Sequence, residues 1–69
     1  MLKIDERIRA LRKENDLTQE EAAKLCEISN MSYCRYERGE REPSASILWR
    51  MADLFGVSID YLVGRTDER

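Results

Sequence analysis

The sequence contains no histidine and only two cysteines in 69 residues. Without histidine, the side chain that most often serves as general base near neutral pH is missing. Ser29, Ser32 and Cys34 therefore have no imidazole to activate them as nucleophiles. Neighbouring carboxylates such as Glu20 and Glu21 point different ways on a helix, which suits solvent better than shared acid–base work. No glycine-rich phosphate loop is present. These absences argue against an enzyme. Cys26 and Cys34 stand at no familiar zinc spacing, so neither a metal nor another cofactor is expected. Both read as free thiols in a reducing compartment. Long apolar runs are also lacking. None approaches a membrane span, and the N-terminus has no apolar core of a signal peptide.

An excess of positive charge is missing too. Twelve basic and 14 acidic residues give a formal net charge of -2. Non-specific affinity for nucleic acid comes largely from neutralised phosphates, so this balance weighs against it. The charges are unevenly placed, however. Residues 1–41 hold nine basic and nine acidic side chains, and residues 42–69 hold three and five. A phosphate-facing surface is expected in the neutral first part.

What is present is 42% apolar and 38% charged residues, well spaced. That mixture fits one small helical domain spanning residues 1–69, with a radius of gyration of about 11 Å if compact. Ile4, Ile8 and Leu11 form one apolar stripe, predicting a helix over residues 5–15, with Arg12 and Lys13 favourable at its carbonyl end. Thr18 and Glu21 form a capping box for a second, short helix ending near Cys26 or Glu27. Ala22, Ala23, Leu25 and Cys26 are expected on its inner side, with Leu17 folded back over its first turn. Ser29 caps a third helix that buries Tyr33 and Tyr36 and stops at Gly39. Ile28 plugs the turn before it. Ser44 caps a fourth, on which Leu48, Met51, Ala52 and Phe55 make the core stripe and Gly56 makes the end. Ser58 and Gly64 bracket a fifth over residues 59–63. The polar tail, residues 65–69, reads as frayed. Turn residues rather than strand alternation separate these elements, so the fold class is all-α.

The second and third helices are each about two turns long, and a tight connection joins them. That geometry forces an angled pair, a helix-turn-helix over residues 18–38. It leaves the start of the third helix exposed, where unpaired N–H groups attract anions. Asn30, Met31 and Arg35 then share one outward region. Arginine can bond guanine O6 and N7 together, asparagine can do the same for adenine, and methionine can touch a thymine methyl. The alternative is an ordinary solvated face.

Residues 17–39, LTQEEAAKLCEISNMSYCRYERG, closely resemble the helix-turn-helix of the Cro and phage-repressor (Xre) family. The resemblance continues through REPS and LFGVSIDYLVGRTD, covering roughly residues 4–67. It implies a compact five-helix, lambda-repressor-like domain in a cytoplasmic regulator of bacterial or phage origin. Such domains commonly bind a palindromic double-stranded DNA operator as homodimers. By position, Asn30, Met31, Cys34 and Arg35 match the base-reading face. Thr18, Gln19, Ser29, Arg38 and Arg41 match contacts to the DNA backbone. Arg12 and Glu37 match a partly buried ion pair tying the first helix to the third. The sequence departs from the family at Glu27, where glycine is usual, and at Tyr33, where a smaller aliphatic residue is usual. Glu27 also places a negative charge near the expected phosphate surface.

These readings favour sequence-specific DNA binding, most simply transcriptional repression. The family also includes antitoxins, which bind a toxin as well as DNA. The net charge, the glutamates near the expected DNA face and the extra apolar residues of the fourth helix leave open a protein-interaction domain with weak or no DNA binding.

Overall fold

A computed structural model of the protein describes residues 2–69. Five helices follow one another: α1 (Ile4–Glu14), α2 (Gln19–Leu25), α3 (Asn30–Glu37), α4 (Ala45–Phe55) and α5 (Ile59–Val63). The Cα radius of gyration is 10.5 Å. No helix among the described residues is long and apolar enough to cross a membrane.

Four of the five helices start on the capping side chain expected from the sequence. The Thr18, Ser29, Ser44 and Ser58 hydroxyls accept from the backbone N–H three residues on, and Thr18 with Glu21 completes the capping box. Each cap satisfies an N–H that the helix itself cannot, worth about 1 kcal/mol. α1 is the exception. It starts and ends one residue earlier than the stripe predicts, and no side chain caps it. Lys3, at its N-cap, instead donates its backbone N–H to Val63 O at 3.2 Å, joining the start of the chain to α5.

All five helices end the same way. A residue just past the last turn takes a left-handed conformation, and the next N–H reaches back to a carbonyl inside the helix. The left-handed residues are Asp16, Glu27, Gly39, Gly56 and Gly64. The returning bonds run from Leu17 to Arg12 O, Ile28 to Ala23 O, Glu40 to Arg35 O, Val57 to Ala52 O and Arg65 to Asp60 O, all 2.9–3.1 Å. Glycine thus serves at three ends, and an acidic residue at two.

The α1 stripe, Ile4, Ile8 and Leu11, lies at the centre of the core beside Ala22, Ala23, Cys26, Tyr33, Met51 and Leu62. Alanines 22 and 23 are wholly covered, allowing the helices to pack closely. Leu17, Ile28, Leu48 and Phe55 pack around this centre partly buried. Leu25 does not join it and remains 55% exposed. At 3.6 residues per turn, Leu25 sits roughly 110° away from the middle of the arc formed by Ala22, Ala23 and Cys26.

The tail also differs from expectation. Residues 65–69 are tied down rather than frayed. Arg7 Nη1 donates to Tyr61 O and Thr66 O, each at 3.1 Å, and Nη2 to Asp67 Oδ1 at 2.9 Å. The same guanidinium lies 4.0 Å from the Tyr61 ring centroid. Arg69 makes a two-pronged pair with Glu14, and its carbonyl accepts from Ser58 N–H at 3.0 Å. Polar composition suggested fraying; specific partners on α1 and α5 supply the anchor instead.

Candidate nucleic-acid interface

The turn between α2 and α3 is built on Glu27, whose φ is 61°. A non-glycine residue reaches this region at modest cost. Glu27 therefore makes the tight turn in the usual glycine's place. Its carboxylate points outward and lies 4.0 Å from Arg50 Nε on α4, both side chains well exposed.

Beneath α3, one side of the helix is fixed to the core. Tyr33 and Tyr36 are buried, and Glu37 is only 2% exposed. The Glu37 carboxylate accepts from Arg12 Nε at 2.7 Å and from Arg12 Nη2 at 3.2 Å. The third Arg12 nitrogen donates to Leu17 O at 2.9 Å. The expected ion pair is therefore formed, with Glu37 buried and Arg12 partly so. Burial pushes the Glu37 carboxyl upward. Hydrogen bonding from Arg12 and Gln19, with the Arg12 charge, outweighs that and holds it below the usual carboxylate range. The Tyr33 hydroxyl is buried without a partner of good hydrogen-bond geometry. Burial first, and then Glu37, drive its pKa well up.

Gln19, the first residue of α2, joins the same network. Its Nε2 donates to Glu37 Oε1 at 3.2 Å, and its Oε1 accepts from Cys34 Sγ at 3.2 Å. Cys34 Sγ also lies 3.8 Å from Asn30 Oδ1. Four of the residues singled out in the sequence, Gln19, Asn30, Cys34 and Glu37, are thus linked in one polar chain.

The other side of α3 is open. Asn30 is exposed, and Met31 is 64% exposed. Arg35 is half-buried, and its guanidinium makes no hydrogen bond or ion pair among the described residues. Two residues expected at the DNA backbone also cap helices: the Thr18 hydroxyl accepts from Glu21 N–H, and the Ser29 hydroxyl accepts from Ser32 N–H and donates to the Ser32 hydroxyl. Arg38 is paired with Glu40 at 3.0 Å, in a well-exposed contact. Arg41 is exposed in the loop after Gly39.

A family profile for the helix-turn-helix matches residues 8–62. The chain belongs to the helix-turn-helix family of Cro and phage-repressor type. A relative 44% identical over 69 residues is the cryptic phage CTXphi transcriptional repressor RstR of Vibrio cholerae, matched over 97% of this chain and 62% of RstR. Antitoxin PezA of Streptococcus pneumoniae is 39% identical over 61 residues, covering 88% of this chain and 39% of PezA. The chain spans only about half the length of several other curated relatives. A solved structure of the P22 c2 repressor with a synthetic operator matches at a TM-score of 0.83 and 35% identity, over 87% of this chain and 91% of that one.

Within this helix-turn-helix, some of the supporting shell left no mark on the sequence pattern. Arg9 Nη2 donates to Glu37 O at 2.8 Å, a second bond from α1 to the end of α3. Arg50 Nη1 reaches Cys26 O at 3.4 Å, bracing the turn from α4. Both are arginine-to-carbonyl bonds across the fold. Any exposed arginine can make such a bond, so neither has a recognisable spacing.

Proposed function

We propose that the chain binds double-stranded DNA sequence-specifically and represses transcription by occupying an operator, with α3 in the major groove. The observation that carries this reading is the two-sidedness of α3. Tyr33, Tyr36 and Glu37 anchor one side, while Asn30, Met31 and Arg35 stand outward on the other. A rigidly held helix with donors and a flexible apolar tip on its free face suits base-edge reading. Gln19, with one Nε2 proton still free, and the charged Arg38 and Arg41 are the backbone contacts, which set register rather than sequence.

The domain acts as a homodimer on a palindromic site. Its contact is the apolar surface left on the acidic C-terminal half, where Trp49 is 65% and Ile59 39% exposed. Those two residues, with Ala52 and Asp53, line an open cleft of about 240 Å³. This half lies in the part of the sequence with fewest positive charges, so its pairing leaves the first part for phosphate.

Selection of binding sites from random duplex DNA with purified protein tests the reading. A two-fold symmetric motif is expected, with binding that weakens linearly as log salt rises. No enriched motif and no shift of any duplex at low salt would remove DNA binding. The similarity to PezA favours one second reading, an antitoxin-type role with a protein partner. Salt-insensitive protein binding without a DNA shift would select it.

A further inference from the structure

The contacts of Cys34 assign it a different role from its neighbours on α3, and this inference rests on the DNA-binding reading above. A carboxylate only accepts hydrogen bonds, so the nitrogen end of the Gln19 amide must face Glu37. That bond is 3.2 Å long. The oxygen end is then turned to Cys34, whose Sγ–H donates to it at 3.2 Å. A thiol carries a single proton. The approach to Asn30 Oδ1, at 3.8 Å, competes for the same proton at longer range. Cys34 is thus engaged toward α2 and has no second donor to offer a base edge.

We infer that Cys34 is a positioning residue, not a base reader: its thiol and the Glu37 carboxylate together fix the Gln19 amide, leaving the second Nε2 proton for a backbone phosphate. Each partner holds one end of the amide. With the carboxylate alone, the amide keeps one anchor and swings about it. Asn30 feels the same thiol from the other side. The base-reading face is accordingly smaller than the sequence pattern implies, consisting of Asn30, Met31 and Arg35.

A double-mutant cycle between Cys34→Ala and Gln19→Ala tests this, with Cys34→Ser as the conservative variant. Affinity is measured for the selected operator and for a random duplex at one salt concentration. Cys34→Ala should weaken both duplexes by the same factor, about threefold, as suits loss of one weak donor. Cys34→Ser should restore most of it. In the Gln19→Ala background, Cys34→Ala should lose its effect on the random duplex. In the free protein, the Gln19 side-chain amide protons should exchange faster in Cys34→Ala and not in Cys34→Ser. This last readout needs no DNA, and urea unfolding of each variant confirms that it is folded. Loss confined to the operator, or an undiminished loss without Gln19, overturns the positioning role while DNA binding stands. If the wild-type protein shifts no duplex, DNA binding fails and the role falls with it.

Discussion

Arg12 and Glu37 close a two-pronged ion pair between α1 and α3, with only 13% and 3% of their side-chain surfaces exposed. Around it converge the Leu17 carbonyl, the Gln19 amide and the Arg9 bond to the Glu37 backbone. The pair therefore holds α3 to the rest of the domain.

Glu37→Ala should destabilise the fold far more than a surface change. It strands the Arg12 guanidinium and takes away the partner of Gln19. Removing one member of a buried pair costs about 3–5 kcal/mol, against about 0–1 kcal/mol for exposed pairs. The urea midpoint reads the difference. A shift in the lower range would mean that solvent reaches the pair after the change and replaces the lost carboxylate.

The same carboxylate gives stability a pH dependence. Glu37 titrates below its ordinary value in the folded chain, because hydrogen bonds from Arg12 and Gln19 and the Arg12 charge outweigh the upward push of burial. The unfolded chain then binds a proton first as pH falls. Glu37 contributes fully above its unfolded value, about 4.3, and its contribution is lost as pH drops through the folded value. Denaturation from pH 7 to 3 should show this acid loss in wild type, and a smaller one in Glu37→Gln. Equal slopes for the two would assign the acid loss to other carboxylates.

The fold was legible because most helix ends are declared locally. Thr18, Ser29, Ser44 and Ser58 are caps whose partners lie three residues away, and Gly39, Gly56 and Gly64 are stops. The tail was not legible, because Arg7, Tyr61 and Arg69 meet only once α1 and α5 are side by side. At the site, the position of Arg12 and Glu37 was readable from the family pattern. Cys34 was placed on the correct helix, but its turn toward Gln19 depends on how α2 crosses α3. Helical spacing says which way Cα–Cβ points, not which neighbour takes the proton.

Glu27→Gly should stabilise the domain slightly. Glu27 holds φ at 61°, where a side chain is strained. A left-handed residue costs roughly 1–2 kcal/mol, while glycine's extra freedom in the unfolded chain gives back about 0.4–1 kcal/mol of that gain. The exposed 4.0 Å contact with Arg50 adds little. A net gain of about 0.5 kcal/mol is expected in the urea midpoint. DNA affinity should rise with it, since a negative charge leaves the turn. A loss of stability would show that the Arg50 contact outweighs the backbone strain.

Arg35→Ala and Gln19→Ala should separate reading from positioning. Among the described residues the Arg35 guanidinium has no hydrogen-bond or ion-pair partner, so a guanine contact breaks none of those bonds. Its loss should reduce operator binding by about 1–3 kcal/mol and random-duplex binding much less. Gln19→Ala should weaken both alike and lower the salt dependence little, since an amide neutralises no phosphate. Equal losses from Arg35→Ala on both duplexes would make it a phosphate contact.

The dimer can be tested on DNA rather than in free solution. Several apolar residues of the C-terminal half are used inside the domain. Leu62 is fully covered, and Ile47, Leu54, Tyr61 and Val63 pack against the core. What remains outward is Trp49, flanked by Ile59 across a shallow cleft. A single exposed tryptophan with one aliphatic neighbour is a small contact, so the free protein should be largely monomeric at micromolar concentration. Two half-sites roughly 34–36 Å apart change the balance. Once both subunits are bound, each sees the other at high effective concentration, and a weak contact suffices. Mass measurement of the saturated complex should give two subunits per palindromic operator. Trp49→Ala should make binding to the full operator less cooperative while leaving affinity for an isolated half-site unchanged. One subunit at saturation, on a site with no symmetry, would defeat the dimer and leave Trp49 for a different partner.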